Sequence, residues 1–156
     1  MDHVGAIAGI RRRHPVPVHL HPGDLPLFRA AARDGLAFGA TIEQPDDPGA
    51  AFTDGQALSV GSLHFTVLHA PGHSPGHVVI HGEGVAFVGD CLFAGSVGRT
   101  DLPLSDGAAL QRTLERIAAL GDDTVVYPGH GPATTVGRER ATNPFLNGLA
   151  RVAPSR

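Results

Sequence analysis

The chain has 156 residues, a formal net charge of -3 and 42% hydrophobic residues, and all its cations are arginines. That size suits one domain with its own core. The apolar runs are too short to span a bilayer and the scattered basic residues leave no nucleic-acid footprint, so neither membrane nor nucleic acid is expected as a partner. The single cysteine, Cys91, excludes an internal disulfide and fits a reducing, cytoplasmic compartment; it reads better as a small core residue than as a reactive thiol.

In chain order, Val4, Ile7, Ala8 and Ile10 have helical spacing directly after Asp2-His3, and Arg11-Arg12-Arg13 suits the solvated end of that helix. Nothing there reads as a signal peptide. Val16 to Leu20 reads as a short strand that Pro17 demotes towards an edge. His19 and His21 make an H-x-H pair, more simply read as one surface and one turn histidine than as ligands. Asp24 is placed to cap a helix over 25–33, with Gly35 as its stop. Residues 36–56 are rich in Gly, Pro and Asp and read as a long surface loop, of the kind that covers a site.

From Ala57 the period becomes two. Leu58 and Val60, then Leu63, Phe65 and Val67, alternate across Gly61-Ser62, a two-residue hairpin signal. Val78 to Ile80 and Val85 to Val88 are continuous apolar runs, expected to be covered on both faces. Ser105 or Asp106 caps a helix with the stripe Leu110, Leu114, Ile117 and Leu120. Thr124 to Tyr127 is a further strand, and a short helix over 136–140 precedes a tail with Asn143-Pro144-Phe145.

Chemistry concentrates where these elements end. Pro71-Gly72-His73-Ser74-Pro75-Gly76-His77 cannot be regular helix or strand, and can aim an imidazole at a fixed point. Gly89-Asp90 and Gly129-His130 each follow a strand-like run, and Asp2-His3 precedes the first helix. Imidazoles with carboxylates are a donor set for zinc or ferrous iron.

These stretches, in this order and approximate spacing, resemble the metallo-β-lactamase fold hydrolases. The run from Gly89 to Pro103, with Gly129-His130-Gly131-Pro132 and the Asn143-Pro144-Phe145 tail, is similar to the small single-domain glyoxalase II-like thioesterases. The resemblance covers essentially the whole chain. It implies a mixed α/β fold, a partial αββα sandwich with mixed sheets and outer helices, as one N-terminally incomplete domain over residues 1–156. It also implies a metal site that in intact form holds two Zn2+, with iron or manganese as alternatives. The family motif is H-x-H-x-D-H, and Asp2 and His3 are its last two ligands here. The resemblance implies that Asp2, His3 and His130 hold one ion, that His73 belongs to the other, and that Asp90 bridges. The missing His pair is then expected in frame before Met1, together with the opening strands, whose loss would leave sheet edges unpaired.

For function the resemblance implies hydrolysis of small acyl thioesters by a metal-activated hydroxide, which Asp2 orients. His77 is expected to support the ligands or pack in the core, and His14, His64, His69 and His81 to be ordinary strand or surface residues. Arg99 is a candidate for a substrate carboxylate, with an ion pair to Asp101 as the other possibility. Two further classes remain open: a mononuclear-iron sulfur dioxygenase of the same fold, and an inactive remnant or binding domain.

Overall fold

The computed structural model describes residues 2–153, so the expectation placed on Met1 lies outside the described residues. Its contacts divide into two units, one running up to Phe52 and the other from Thr53 onward.

In the first unit, α1 (Ile7–Arg13) carries all three consecutive arginines in its last turn, where Arg12 pairs with Glu43 at 2.5 Å. The strand expected over 16–20 is shorter. Only β1 (His19–Leu20) pairs, in parallel with β2 (Ala50–Ala51), because Pro15 and Pro17 have no N–H to give to a ladder. His21 Nδ1 accepts from the Gly23 N–H at 3.2 Å, and the His19 ring stacks on Phe52 at 5.1 Å, so each histidine of the H-x-H pair has a local structural contact. The helix expected over 25–33 is two helices, α2 (Leu25–Arg29) and α3 (Ala31–Ala37). The break falls at Ala30, whose N–H is shared between the carbonyls of Pro26 and Leu27 at 3.2 Å each, and the Asp24 side chain makes no capping bond. Gly35 lies inside α3. The stop is Gly39: its N–H reaches the Leu36 carbonyl and the Ala40 N–H reaches that of Gly35, at 3.0 and 2.9 Å, the paired bonds of a Schellman motif. The long loop that follows is pinned by Gln44, which donates to the Phe28 carbonyl and accepts from the Ala32 N–H, and by Asp47 paired with Arg29.

The second unit is built on a six-stranded sheet. Four strands form an antiparallel meander: β3 (Ala57–Val60), β4 (Leu63–His69), β5 (Val78–Gly82) and β6 (Val85–Gly89). Val60 faces Leu63, so Gly61-Ser62 is the expected two-residue turn. After β6 comes a small hairpin that the sequence reading missed, β7 (Leu92–Phe93) against β8 (Ser96–Val97). The helix α4 (Gly107–Ala118) is the crossover that lets β9 (Val125–Pro128) pair in parallel with β6, after which β10 (Thr134–Thr135) and α5 (Val136–Thr142) follow. Asp106 is the cap of α4, accepting from the Ala109 N–H at 3.0 Å.

One face of this sheet is closed by α4. Val79, Ala86, Val88 and Val126 are fully buried with Leu110, Ile117 and, at 1% exposure, Leu114. Each buried valine, leucine or isoleucine among them contributes about 1.5–3 kcal/mol on leaving water. The expectation that β5 and β6 are covered on both faces needs correction, since on the opposite face Phe87 is 47% exposed, stacked on Tyr127 at 5.5 Å. The fold is therefore mixed α/β, a sheet with outer helices. Among the described residues no helix is long and apolar enough to cross a membrane.

At the start of this unit Asp54 accepts from the His69 N–H at 2.6 Å and from Arg116, which also donates to the His69 carbonyl at 2.6 Å. The His69 amide bond, and then the Arg116 guanidinium, hold the Asp54 carboxyl below its ordinary value against the opposing effect of desolvation. A depressed carboxyl stabilises the fold at pH values above its unfolded pKa of about 3.9, and that contribution is lost as the pH falls through the folded value. Wild type should therefore lose more thermal stability than Asp54→Asn between about pH 6 and pH 3. Equal losses in melting experiments on the two proteins would show the carboxylate to be idle.

Candidate metal centre

Three loops at one end of the six-stranded sheet bring His73, Asp90 and His130 together. The His73 loop leaves β4 and is fixed to α4: Thr113 Oγ1 donates to the Pro71 carbonyl and the Asp106 N–H to that of Gly72, both at 2.7 Å. Asp90 follows β6, where the backbone turns at Gly89 with φ of +49°. A Cβ on Gly89 would stand 2.6 Å from His77 Nε2, so both conformation and space demand glycine. His130 follows β9. The parallel pairing of β6 with β9 sets those two strand ends side by side, and the Gly129 N–H donates to the Gly89 carbonyl at 2.8 Å. A fold that places chemistry on the loops beyond its strand ends needs only this register to make a site.

Asp90 is at the centre. Its Oδ2 lies 3.7 Å from His73 Nε2 and 3.6 Å from His130 Nε2, while the carboxylate is only 14% exposed. Those separations exceed a hydrogen bond. Two ligands about 2.1 Å from a shared tetrahedral ion would stand about 3.4 Å apart, so the spacing suits an ion between each imidazole and the carboxylate. The tautomer of His73 agrees. Its Nδ1 is 3.1 Å from the Arg99 carbonyl, which can only accept, so Nδ1 carries the proton and in the neutral ring Nε2 turns a lone pair towards Asp90. A lone pair facing a carboxylate oxygen is a donor set made for a cation. The residues present fit a metal.

His77 points elsewhere. Its Nε2 accepts from the Asp90 N–H at 3.2 Å, and its Nδ1 lies 3.5 Å from Cys91 Sγ, whose S–H donates to the Ala70 carbonyl at 3.6 Å. The imidazole thus fixes the backbone that carries Asp90. Cys91 is fully buried, and burial pushes its thiol far up, with the Asp90 charge adding to the effect. In the folded protein Cys91 should not react with an aromatic disulfide reagent, and one equivalent should react on unfolding. A rapid native-state reaction would contradict this.

Asp2 and His3 lie in the N-terminal unit, both well exposed, with His3 Nε2 3.8 Å from Asp2 Oδ2. The Arg99 guanidinium is held by both oxygens of Asp101 at 2.6 and 2.7 Å, on a groove that Phe145 and Arg151 also line. His64 Nδ1 lies 3.3 Å from Ser59 Oγ and His69 Nε2 lies 2.9 Å from the Pro75 carbonyl, so both belong to the scaffold. Two contributors were not foreseen: the Arg99 carbonyl on His73, and Phe93, whose ring meets His130 edge-on at 6.3 Å. No residue-type signal marks a backbone carbonyl. Phe93 lies in the Gly89 to Pro103 run, where only the family likeness marks it.

Residues 1–130 match the family model described as "Metallo-beta-lactamase superfamily". Hydroxyacylglutathione hydrolase GloC of Haemophilus influenzae is 36% identical over 152 residues, which are 94% of this chain and 72% of that protein. Among solved structures, TTHA1623 in a di-iron-bound form superimposes with a TM-score of 0.86 at 46% identity, over 92% of this chain and 72% of that one. ETHE1 from Myxococcus xanthus gives a TM-score of 0.71 at 27% identity, over 92% and 57%.

Proposed function

Because the chain belongs to the metallo-beta-lactamase superfamily, we propose that it is a metal-dependent hydrolase of small acyl thioesters, of the glyoxalase II kind. The observation that carries this is the pair of imidazoles aimed at one oxygen of Asp90. His73 and Asp90 would hold one ion, and Asp2, His3 and His130 the other, with Asp90 between them. Bound there, divalent ions supply a nucleophilic hydroxide near neutral pH and a Lewis acid for the carbonyl oxygen.

The chain's own groups do the rest. The Arg99 carbonyl keeps the His73 ring in one tautomer, and His77 holds the Asp90 backbone, so the donor atoms need little reorganisation. Asp2 is assigned to orient the attacking oxygen by accepting its proton in a hydrogen bond. The Arg99 side chain, exchanging Asp101 for a substrate carboxylate, would seat the polar half of the thioester in the adjacent groove. A thiolate leaves without a strong acid, which matches a site with no further proton donor assigned. The similarity to GloC supports a glutathione thioester as first substrate, and a buried lone thiol suits a cytoplasmic setting.

The test is to load the protein with zinc, manganese or iron, count bound metal, and follow thiol release from lactoylglutathione. Thiol release with bound metal supports the proposal. Metal binding without thiol release discards the thioester. The di-iron form of a close structural relative makes iron chemistry the second reading, and oxygen uptake on a persulfide by the iron-loaded protein would select it.

A further inference from the structure

Glu139, inside α5, and Asn143, its C-cap residue, are both fully buried one turn apart, and neither is among the proposed ligands. A buried carboxylate is costly unless its oxygens are satisfied. Those of Glu139 are satisfied by neutral donors: Oε1 accepts from Thr134 Oγ1 at 2.6 Å, and Oε2 from the Gly95 N–H at 2.8 Å and Asn143 Nδ2 at 2.9 Å. The Asn143 amide also donates to the Ser96 carbonyl at 3.0 Å and reaches that of Phe93 at 3.4 Å, while its oxygen accepts from the Phe145 N–H at 3.1 Å. Apolar residues would fill such a space at lower cost. Three of these six bonds go to one feature, the β7–β8 hairpin.

That hairpin joins the site to itself. It leaves Asp90-Cys91 and returns at Gly98, whose N–H donates to the Cys91 carbonyl at 3.1 Å. The next residue supplies the carbonyl that orients His73, and Phe93 sets its ring against His130. We propose that Glu139 and Asn143 are positioning residues for the metal centre, holding the β7–β8 hairpin so that the Arg99 carbonyl fixes His73 and Phe93 fixes His130 about Asp90. This rests on the reading of His73, Asp90 and His130 as ligands.

The test uses the full chain with zinc as the probe, and compares Asn143→Ala and Gly95→Ala with Thr134→Val as the control. Asn143→Ala removes the donors to the hairpin. Gly95→Ala strains only its exposed apex, where φ is +76° and an added Cβ meets nothing within 4 Å, so it folds even should Asn143→Ala not. Thr134→Val removes a bond of the same network that does not touch the hairpin. Ring-nitrogen NMR at about pH 8 reads the metal-free protein. Wild type and Thr134→Val should show His73 locked with its proton on Nδ1, and the two hairpin variants should show it averaging between tautomers. Zinc affinity should fall about tenfold in Asn143→Ala and stay within about twofold in Thr134→Val, even where both lower the melting temperature.

A folded hairpin variant that keeps the wild-type His73 pattern overturns the proposal, as does equal zinc affinity in wild type and Asn143→Ala. So does a Thr134→Val protein as perturbed as Asn143→Ala, since that is the mark of a merely structural network. Should wild type bind no zinc while the His73 pattern still responds to the hairpin, the positioning role stands and the metal reading falls.

Discussion

Asp90→Ala should release the metal and lower thioester hydrolysis by about 10⁴-fold, ~5.5 kcal/mol of transition-state stabilisation. The size follows from the place of the side chain. Asp90 is the one carboxylate between the two imidazoles, so its loss weakens both proposed ion positions at once and leaves His73 and His130 with no anion to share. Each function of an ion, nucleophile and Lewis acid, is worth several kcal/mol. The fold should survive, because the bond from this position to His77 is made by the backbone N–H, which alanine keeps. Elemental analysis, thiol release and circular dichroism together check the prediction. Unchanged metal content in a folded Asp90→Ala protein would move the centre elsewhere.

Gly98→Ala should be among the most damaging single-atom changes in the chain. A Cβ at this position would stand 1.8 Å from the Asp90 carbonyl oxygen and 3.5 Å from His73 Cβ. The first contact is with backbone, which cannot swing aside as a side chain can, so either β8 or the Asp90 segment must move. A cost above about 4 kcal/mol is expected, a fall of roughly 10 °C or more in melting temperature for a chain of this size. Gly95→Ala, three residues away in the same hairpin, should cost only about 1 kcal/mol, since it meets strain and no overlap. Comparable melting temperatures for the two variants would show that the hairpin yields easily.

Residue types and their spacing foretold the Gly61-Ser62 hairpin, the strands over 78–80, 85–88 and 124–127, the helix α4 with Ser105 or Asp106 as its cap, and the loops that carry His73, Asp90 and His130, whose meeting was implied by the family resemblance. They did so because these features are local: a period of two, a two-residue turn, an acceptor before an apolar stripe, Gly and Pro around a histidine. What escaped is carried by contacts distant in sequence. The β7–β8 hairpin has two-residue strands and no usable period, and Glu139 and Asn143 bond to it from 44 to 50 residues away. Nothing in the neighbours of Glu139 announces its burial, and a short helix over 136–140 gives no signal of it. The stop at Gly39 differs from the expected Gly35 for a smaller reason: two glycines four residues apart both look like helix ends, and only the bonds of the final turn choose between them.

The parallel contact between β6 and β9 also bears on how the chain acquires its structure. The four strands from β3 to β6 are neighbours both in sequence and in the sheet, so they can pair as they collapse. Joining β9 to β6 means closing the whole segment 90–124 into a loop, α4 included, before any bond of that ladder forms. Asp90 lies at one end of that loop and His130 just beyond the other. The two halves of the centre therefore meet only in a non-local step, and the arrival of an ion between them would report that joining rather than the first local pairing of strands.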